Sequence, residues 1–504
     1  MPDSYVKRIL NANIYDLVQE TPLDFAPQLS GRLHNRVLLK REDLQPVFSF
    51  KLRGAYNRMR KLSDAERAKG VVAASAGNHA QGVAMAARAL GVKATIVMPR
   101  TTPQIKIAAV KALGGKVVLE GDSFDAAASH ATRLVAELGM VYIHPFDDPE
   151  VIAGQGTVAL ELLRQLSGPL DAIFVCVGGG GLCAGIAAYV KFVRPEVKII
   201  AVEPDDAACL KAALDKGRRV KLKQVGLFAD GAAVAQVGRE TFRVLRQTLD
   251  GVITVTTDEI CAAIKDIFED TRSIAEPAGA LAVAGLKKYV DRHRPQGRTF
   301  AAIVSGANMN FDRLRYISER TEIGEKREAI LAVTIPEQPG SFRKFCQLVH
   351  RRMITEFNYR VGDPAQAHIF VGVQVESDRD RDDLVATLRS HGYPVADMTD
   401  NEMAKLHIRY MVGGRVSAAS DEMVYRFEFP ERPGALFNFL SRLGSNWNIS
   451  MFHYRNHGAA FGRVLAGFEV PPEERGQVPV FLHELGYEYS EETANPAYQF
   501  FLRG

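Results

Sequence analysis

The sequence lacks the features that mark several common classes of protein. Only five cysteines occur in 504 residues and none forms a CxxC pair, which argues against a disulfide framework or a zinc site and favours a reducing compartment. The formal net charge is only +4, and no dense run of lysine and arginine with interleaved aromatic residues is present. No signal-like apolar core and no apolar run of membrane-spanning length is found either. We therefore expect a cytoplasmic protein with no nucleic-acid or membrane partner.

An alternation of strand-like and helix-like segments runs from Val37 to about Ile317. Short β-branched runs predict strands, and the alanine-rich stretches between them have helical length and end at glycine. The predicted strands are Val37–Lys40, Val71–Ala74, Ala94–Met98, Lys116–Leu119, Ala172–Val177, Lys198–Val202 and Phe300–Val304. This order predicts the α/β class with mostly parallel, buried sheets. Ligands of such folds bind beyond the carboxyl ends of the strands, so the loops there are the candidates for chemistry.

The last third of the chain contains an internal repeat. Pro336–Phe342 matches Pro430–Leu436 with a spacing of 430 − 336 = 94, and Ile354–Arg360 matches Ile449–Arg455 with a spacing of 449 − 354 = 95. Each copy predicts a small α+β module of strand, Pro-Gly turn, helix and strand. A charged stretch precedes the first copy and is interpreted as a linker or a solvated helix. The predicted divisions are residues 1–320, a linker at 321–328, and repeats at 329–415 and 416–504.

Lys51 is the candidate nucleophile of the chain. It stands between Phe50 and Leu52, near the start of a helix predicted over residues 54–62. Apolar neighbours desolvate an amine and lower its pKa, and a neutral amine attacks a carbonyl carbon to form a Schiff base. A lysine considered alone is more often an ordinary surface residue. The assignment therefore depends on the loops that follow.

The first of these loops, Ser75–Gly82, follows a predicted buried strand. Small residues there let backbone N–H groups approach an anion at a helix N-terminus, and Asn78 adds a side-chain amide that can donate to an oxygen. The same pattern also makes an ordinary helix cap. The loop is therefore a candidate anion site only in combination with others.

The second loop contains four consecutive glycines, Gly178–Gly181, followed by Leu182. The entropic cost of such a run predicts that something approaches the backbone closely, and phosphate at the helix N-terminus is the natural ligand. However, Gly179–Ala184 also fits the pattern G-x-G-x-x-A, with Glu203 at the end of the next strand. An NAD-dependent oxidoreductase is therefore an alternative interpretation of this segment.

The third loop, Ser305–Asn308, follows the predicted strand Phe300–Val304. It can be read as a simple turn. In the context of the other loops, the Ser305 hydroxyl at a strand's carboxyl end can hydrogen-bond a ring nitrogen, which a site for phosphate alone would not need.

Taken in order, these four segments resemble the fold type II family of pyridoxal phosphate enzymes, and more closely the biosynthetic threonine ammonia-lyases, also called threonine deaminases or dehydratases. The match covers nearly the whole chain, because the long form of that family carries two ACT-like regulatory repeats after a two-lobed catalytic domain. The resemblance implies pyridoxal 5'-phosphate as cofactor and conversion of L-threonine to 2-oxobutanoate and ammonia. It also implies inhibition by isoleucine, activation by valine and a homotetramer.

The resemblance implies a role for each candidate residue. Lys51 would hold the cofactor as a Schiff base with Phe50 beside the ring, and Ser305 would meet the pyridine nitrogen. Asn78 would donate to the phenolic oxygen. The phosphate would be bound by Gly178, Gly179, Gly180, Gly181 and Leu182. The substrate carboxylate would be received by the backbone N–H groups of Ser75, Ala76, Gly77, Asn78 and His79. The candidate effector contacts are Tyr359, Arg360, Tyr454 and Arg455, since arginine binds carboxylates bidentately.

Two departures concern close relatives in the same family. Serine racemases carry a second serine where this chain has Ala76, which disfavours racemisation, and a serine dehydratase or racemase is kept as an alternative. Animal serine racemases also bind a divalent metal through a glutamate and an aspartate six residues later. Here Glu203 is present but Cys209 replaces the aspartate. No metal is therefore predicted.

Overall fold

Two compact units make up the chain, Met1–Ser318 and Glu319–Gly504. The computed structural model describes residues 2–503 except 167, 325–326, 337–344, 346–347, 350–351, 353, 360–365, 411–420, 431–446 and 456–460. Within the described residues, no helix is both long enough and apolar enough to cross a membrane.

Strands and helices alternate along the first unit. The strands are β1 (Leu23–Phe25), β2 (Arg36–Arg41), β3 (Val71–Ala74), β4 (Ala94–Met98), β5 (Lys116–Leu119), β6 (Val141–Tyr142), β7 (Ala172–Cys176), β8 (Lys198–Pro204), β9 (Gly251–Val255) and β10 (Thr299–Val304). The helices are α1 (Pro2–Leu10), α2 (Pro27–Leu33), α3 (Lys51–Arg60), α4 (Asp64–Lys69), α5 (Asn78–Leu90), α6 (Gln104–Ala112), α7 (Phe124–Leu138), α8 (Pro149–Gln165), α9 (Gly181–Val193), α10 (Cys209–Asp215), α11 (Arg239–Thr248), α12 (Thr257–Thr271), α13 (Pro277–His293) and α14 (Arg313–Gly324), the last of which contains the boundary between the units.

The strands of this unit form two sheets, one in each of two lobes. The larger sheet has the order β1-β2-β10-β7-β8-β9, and only the pair β1–β2 is antiparallel. The smaller sheet has the order β5-β4-β3-β6 and is parallel throughout. Every residue of β3, β7 and β10 is buried, as expected where helices cover both faces of a parallel sheet. The prediction of an α/β fold with mostly parallel sheets is confirmed.

Helix α3 begins at Lys51, three residues before the predicted start. The Ser49 hydroxyl accepts a hydrogen bond from the Lys51 N–H (3.3 Å), and the Arg53 N–H donates to the Phe50 carbonyl (3.0 Å). These contacts close the first turn directly at the lysine. Lys51 therefore stands at the positive end of the helix, where a neutral amine is favoured over an ammonium group.

The second unit consists of two modules built alike. The strands are β11 (Glu328–Pro336), β12 (Ile354–Tyr359), β13 (Gln366–Gln374), β14 (Val395–Asp397), β15 (Glu422–Pro430), β16 (Asn448–Arg455), β17 (Phe461–Glu469) and β18 (Glu488–Glu491). The helices are α15 (Asp378–Ser390), α16 (Glu402–Leu406), α17 (Val478–Leu485) and α18 (Pro496–Phe501). The sheets have the equivalent orders β12-β13-β11-β14 and β16-β17-β15-β18, and both are antiparallel.

Corresponding hydrogen bonds relate the two modules. Thr399 Oγ1 accepts from the Ile330 N–H, and Thr493 Oγ1 accepts from the Val424 N–H, each at 3.0 Å. Both members are displaced by the repeat spacing, since 493 − 399 and 424 − 330 each equal 94. Two small antiparallel α+β modules are therefore present, as the repeat predicts. The segment expected as a linker contains the end of α14 and, from Glu328, the start of β11.

Candidate active site

Three of the four motif segments follow adjacent parallel strands. β2, β10 and β7 are neighbours in the larger sheet; a short turn leads from β2 to Lys51, Ser305 follows β10, and Gly178–Leu182 follows β7. The Phe50 N–H donates to the Ser305 carbonyl (3.2 Å), and Ser49 bridges to Gly306. The sheet thus brings the lysine, serine and glycine segments, which are more than a hundred residues apart in sequence, to one edge.

Lys51 is partly buried between the lobes. Its Nζ donates to the Pro145 carbonyl (3.0 Å) and lies 5.1 Å from the centre of the Phe50 ring. Burial lowers the pKa of Lys51 to about 8, against the opposing influence of Cys176 and Glu276. A substantial fraction of the amine is therefore neutral near neutral pH, as a Schiff-base lysine requires.

The glycine loop is shaped by close contacts within the protein. A Cβ at Gly179 would lie 2.2 Å from the Phe146 ring, and a Cβ at Gly178 would lie 2.9 Å from the Ala232 backbone. Gly180 has φ +92°, a conformation that favours glycine. The close approach predicted from the sequence is therefore made, at least in part, by Phe146 and Ala232.

The backbone N–H groups of the same loop suit a phosphate. Among the described residues, none of the N–H groups of Gly178–Leu182 donates to a protein oxygen. They lie at the N-terminus of α9, where a helix presents free donors and a partial positive charge. A phosphate ester fits this set of donors.

The Ser75 segment uses some of its donors internally. The Ser75 N–H donates to the Val97 carbonyl (3.1 Å), and the Gly77 N–H donates to Ser75 Oγ (3.2 Å). In the described part of the chain, the N–H groups of Ala76, Asn78 and His79 have no such partner. These three donors at the N-terminus of α5 are the ones left to receive a carboxylate.

His79 is buried and neutral. Its Nε2 contacts the Ile143 carbonyl (2.8 Å), and because a carbonyl only accepts, Nε2 carries the proton. Burial, and then the charge of Lys51, lowers the pKa of His79 to about 3. Its buried Nδ1 has no hydrogen-bond partner among the described groups. The side chain is therefore an acceptor inside the site, a property that the sequence does not reveal.

Asn78 belongs to a hydrogen-bond chain that the sequence analysis missed. Its Nδ2 donates to Glu276 Oε1 (2.5 Å), and its Oδ1 accepts from Asn308 Nδ2 (2.7 Å). Asn308 lies in the Ser305 segment, but no role is predicted for it from sequence. The one local signal for Glu276 is its position directly before Pro277, at the start of α13.

Ser305 is buried at the end of β10. Its Oγ donates to the Ala278 carbonyl (3.3 Å), and its side chain also hydrogen-bonds the Cys176 sulfur. Burial raises the pKa of Cys176 to about 11, so this thiol stays protonated near neutral pH. The hydroxyl is thus a neutral partner for a ring nitrogen.

Glu203 has a structural position behind the glycine loop. Its two carboxylate oxygens accept from the N–H groups of Leu210 and Lys211, each at 2.8 Å, and Cys209 Sγ donates to the Gly178 carbonyl (3.4 Å). A dinucleotide site would instead need the acidic side chain for a ribose hydroxyl. Among the described residues, no group of three or more His, Cys, Asp and Glu side chains is placed to hold a metal ion.

The effector candidates are described only in part. Tyr359 ends β12, and Tyr454 and Arg455 end β16, but the side chains of these three residues lie outside the described part of the structure. Arg360 lies outside the described residues altogether.

Family models match both units. Residues 14–306 match the model described as "Pyridoxal-phosphate dependent enzyme", and residues 319–408 and 413–502 match "C-terminal regulatory domain of Threonine dehydratase". The chain belongs to the family of pyridoxal-phosphate-dependent enzymes.

Full-length relatives narrow this class. The chain is 57% identical over 501 residues to the biosynthetic L-threonine dehydratase of Burkholderia multivorans, covering 99% of each chain. It is 56% identical over 504 residues to that of Escherichia coli K12, covering 99% of this chain and 97% of that protein. Within the class, this chain is thus a member of the biosynthetic threonine dehydratases, lyases with C-terminal regulatory domains. The dinucleotide alternative is not favoured.

Solved structures support the same assignment. The processed form of threonine deaminase isoform 2 from Solanum lycopersicum has a TM-score of 0.63 and 51% identity, covering 64% of this chain and 88% of that one. A second threonine deaminase, from the organism abbreviated T.th., has a TM-score of 0.58 and 40% identity, covering 61% of this chain and 99% of that one.

Proposed function

We propose that the protein catalyses the pyridoxal-phosphate-dependent dehydration and deamination of L-threonine to 2-oxobutanoate and ammonia. The observation that carries the proposal is the convergence of Lys51, Gly178–Leu182 and Ser305 at the carboxyl ends of adjacent strands. The choice of substrate is supported by the names of relatives that match along the whole chain.

The residues of the site fit the cofactor in charge and shape. Lys51 provides the amine that joins it, with Phe50 beside the ring. Asn78 donates to the phenolic oxygen, the N–H groups of Gly178–Leu182 hold the phosphate, and the Ser305 hydroxyl faces the pyridine nitrogen. Bound pyridoxal phosphate supplies an aldehyde that condenses with amines and a ring that withdraws the electron pair released at Cα.

Lys51 is the general base in this proposal. A neutral Nζ beside the substrate removes the Cα proton and holds it, and its pKa of about 8 makes that form available near neutral pH. The N–H groups of Ala76, Asn78 and His79 orient the substrate through its carboxylate. Ala76 carries no exchangeable proton, which leaves the opposite face of Cα without a second acid from this position.

The second unit is proposed to bind isoleucine as inhibitor and valine as activator. The match to a threonine dehydratase regulatory domain and the presence of two similar modules support this proposal. Tyr359, Arg360, Tyr454 and Arg455 remain the candidate contacts. We also propose a cytoplasmic homotetramer, for which light scattering would give four times the chain mass of 55.4 kDa.

The activity is tested with the purified full-length protein. We expect 2-oxobutanoate and ammonia in equal amounts from L-threonine, slower turnover of L-serine, and no D-serine from L-serine. Equal preference for serine, or racemisation, would favour the related alternatives. A colourless preparation that forms no keto acid after addition of pyridoxal phosphate would contradict the proposal.

A further inference from the structure

The side-chain amide of Asn78 is held at both ends. Its Oδ1 accepts from Asn308 Nδ2 (2.7 Å), and its Nδ2 donates to Glu276 Oε1 (2.5 Å). Asn308 Nδ2 also donates to the Val47 carbonyl (2.7 Å). Because a carbonyl only accepts, this contact fixes the orientation of the Asn308 amide and, through it, that of Asn78. One N–H of Asn78 is then left for a ligand of the site.

Glu276 occupies a space that the surrounding backbone keeps open. The residue is only 3% exposed. A Cβ at Gly306 would lie 2.6 Å from its Oε1, and a Cβ at Gly231 would lie 3.5 Å from the same atom. Although Glu276 stands at the cap position of α13, its side chain makes no capping hydrogen bond. The carboxyl group is therefore turned towards Asn78, at the cost of its own desolvation.

The charged groups that face this carboxyl come from several elements. They are Asp230, Lys106, Arg313 and Lys51, and the thiol of Cys176 lies nearby. Burial, and then the charge of Asp230, raises the pKa of Glu276 to about 8, although the Asn78 hydrogen bond, Lys106 and Arg313 oppose the shift. The charge of Glu276 in turn raises the pKa of Lys51. The two groups are therefore coupled.

We propose that Glu276 is a positioning residue of the cofactor site, which fixes the Asn78 amide and, by gaining or losing its carboxyl proton, controls the charge beside Lys51. The inference rests on the proposed function, because it takes Asn78 as the donor to the cofactor's phenolic oxygen. While the carboxyl is neutral, the neutral amine of Lys51 is favoured. After the proton leaves, the new negative charge favours the ammonium form and attracts the Asn78 amide.

The test uses the visible absorbance of the holoenzyme between pH 6 and 10 and the dissociation constant of pyridoxal phosphate. The wild type is expected to show a spectral step near pH 8. Glu276→Gln keeps the shape and an acceptor oxygen but cannot ionise, so the step is lost while cofactor affinity is largely retained. Glu276→Ala loses the contact with Asn78, and affinity falls roughly tenfold or more. Glu196→Gln, the same change at an exposed surface glutamate, keeps the wild-type titration.

A second variant separates the role of the charge from a purely structural one. Lys106→Met removes a positive charge that faces the carboxyl, so the step is expected to move to higher pH; if Glu276→Gln does not fold by circular dichroism, this variant carries the test. A wild-type titration that Glu276→Gln leaves unchanged, or an unmoved midpoint in Lys106→Met, would overturn the inference alone. A wild-type protein that binds no pyridoxal phosphate would instead overturn the proposed function.

Discussion

At the scale of single residues, burial suppresses the usual charges of the site. Lys51 has its pKa lowered to about 8, Glu276 has its pKa raised to about 8, and His79 is neutral because its pKa is lowered to about 3. Each shift has burial as its largest cause, which disfavours the charged form of every group. The site therefore holds an uncharged amine beside an uncharged acid near neutral pH, which is the state that carbonyl chemistry requires.

The pH dependence of cofactor capture follows from the lowered pKa of Lys51. Only the neutral amine attacks an aldehyde, so the rate at which apoprotein takes up pyridoxal phosphate is expected to rise with pH and level off above about 8. Stopped-flow absorbance measures this rate. An exposed model lysine, whose pKa is about 10.4, serves as the reference and should level off only above that value. A protein rate that follows the reference would show that Lys51 is not desolvated.

At the scale of elements, a buried ion network anchors the helix that carries Lys51. Arg53 donates to Glu42 Oε2 (2.7 Å) and to Glu161 Oε1 (2.5 Å), and Lys40 Nζ contacts Glu161 Oε2 (2.7 Å). All four side chains are fully buried. The sequence motif contains Arg53 without revealing this role, because its partners are contributed by a distant helix and an earlier turn.

Removal of Arg53 is expected to destabilise the fold. Arg53→Met leaves two buried carboxylates without their main partner, which costs about 3–5 kcal/mol of unfolding free energy. Chemical denaturation of the holoenzyme measures the loss. Arg60→Met, which removes a more exposed ion pair with Asp16 in the same helix, is the matched control and should cost less than about 1 kcal/mol. Equal losses in the two variants would contradict the anchoring role.

The same network makes stability depend on acid. Burial opposes ionisation of Glu161, but the charges and hydrogen bonds of Arg53 and Lys40 outweigh it and lower its pKa. The folded pKa is thus below the unfolded value of about 4.3, so this stabilisation is present above that value and is lost as the pH falls through the folded pKa.

The glycine loop gives a second prediction at the scale of elements. Gly180→Ala places a Cβ at φ +92° and 3.0 Å from Leu245 Cδ1, so the loop must shift and cofactor affinity is expected to fall at least roughly tenfold. Gly217→Ala is the matched control, since Gly217 also has positive φ (+63°) but no neighbour within 4 Å of its added Cβ. Both variants should lose about 1 kcal/mol of stability from backbone strain. If both bind pyridoxal phosphate like the wild type, the loop does not hold the cofactor.

Sequence patterns predicted those parts of the molecule that depend on local signals. The strand-and-helix alternation and the repeat spacing gave the fold class of both units, and the loops at strand ends gave Lys51, Asn78 and Ser305 as candidates. Glu276 and Asn308 were missed because their importance arises from contacts with Asn78 made across about two hundred residues. The start of α3 was misplaced because Ser49 and Phe50 close its first turn, which helix periodicity does not encode.

At the scale of the whole molecule, catalysis and regulation are assigned to different units. Deletion of the residues after Arg320 is expected to leave dehydration of threonine but to abolish inhibition by isoleucine and activation by valine. Initial rates at a fixed threonine concentration, with each effector titrated, measure both. The full-length protein is the control for effector response. Persisting inhibition in the shortened chain would place the isoleucine site in the first unit.

The central claim is that Lys51 carries the cofactor. Reduction of the full-length protein with borohydride, followed by digestion and mass spectrometry, tests it most directly, with Lys51→Ala as the control. The account predicts a pyridoxyl group on the peptide that contains Lys51 and none in the variant. A pyridoxyl group on another lysine, or on no peptide at all, would contradict it.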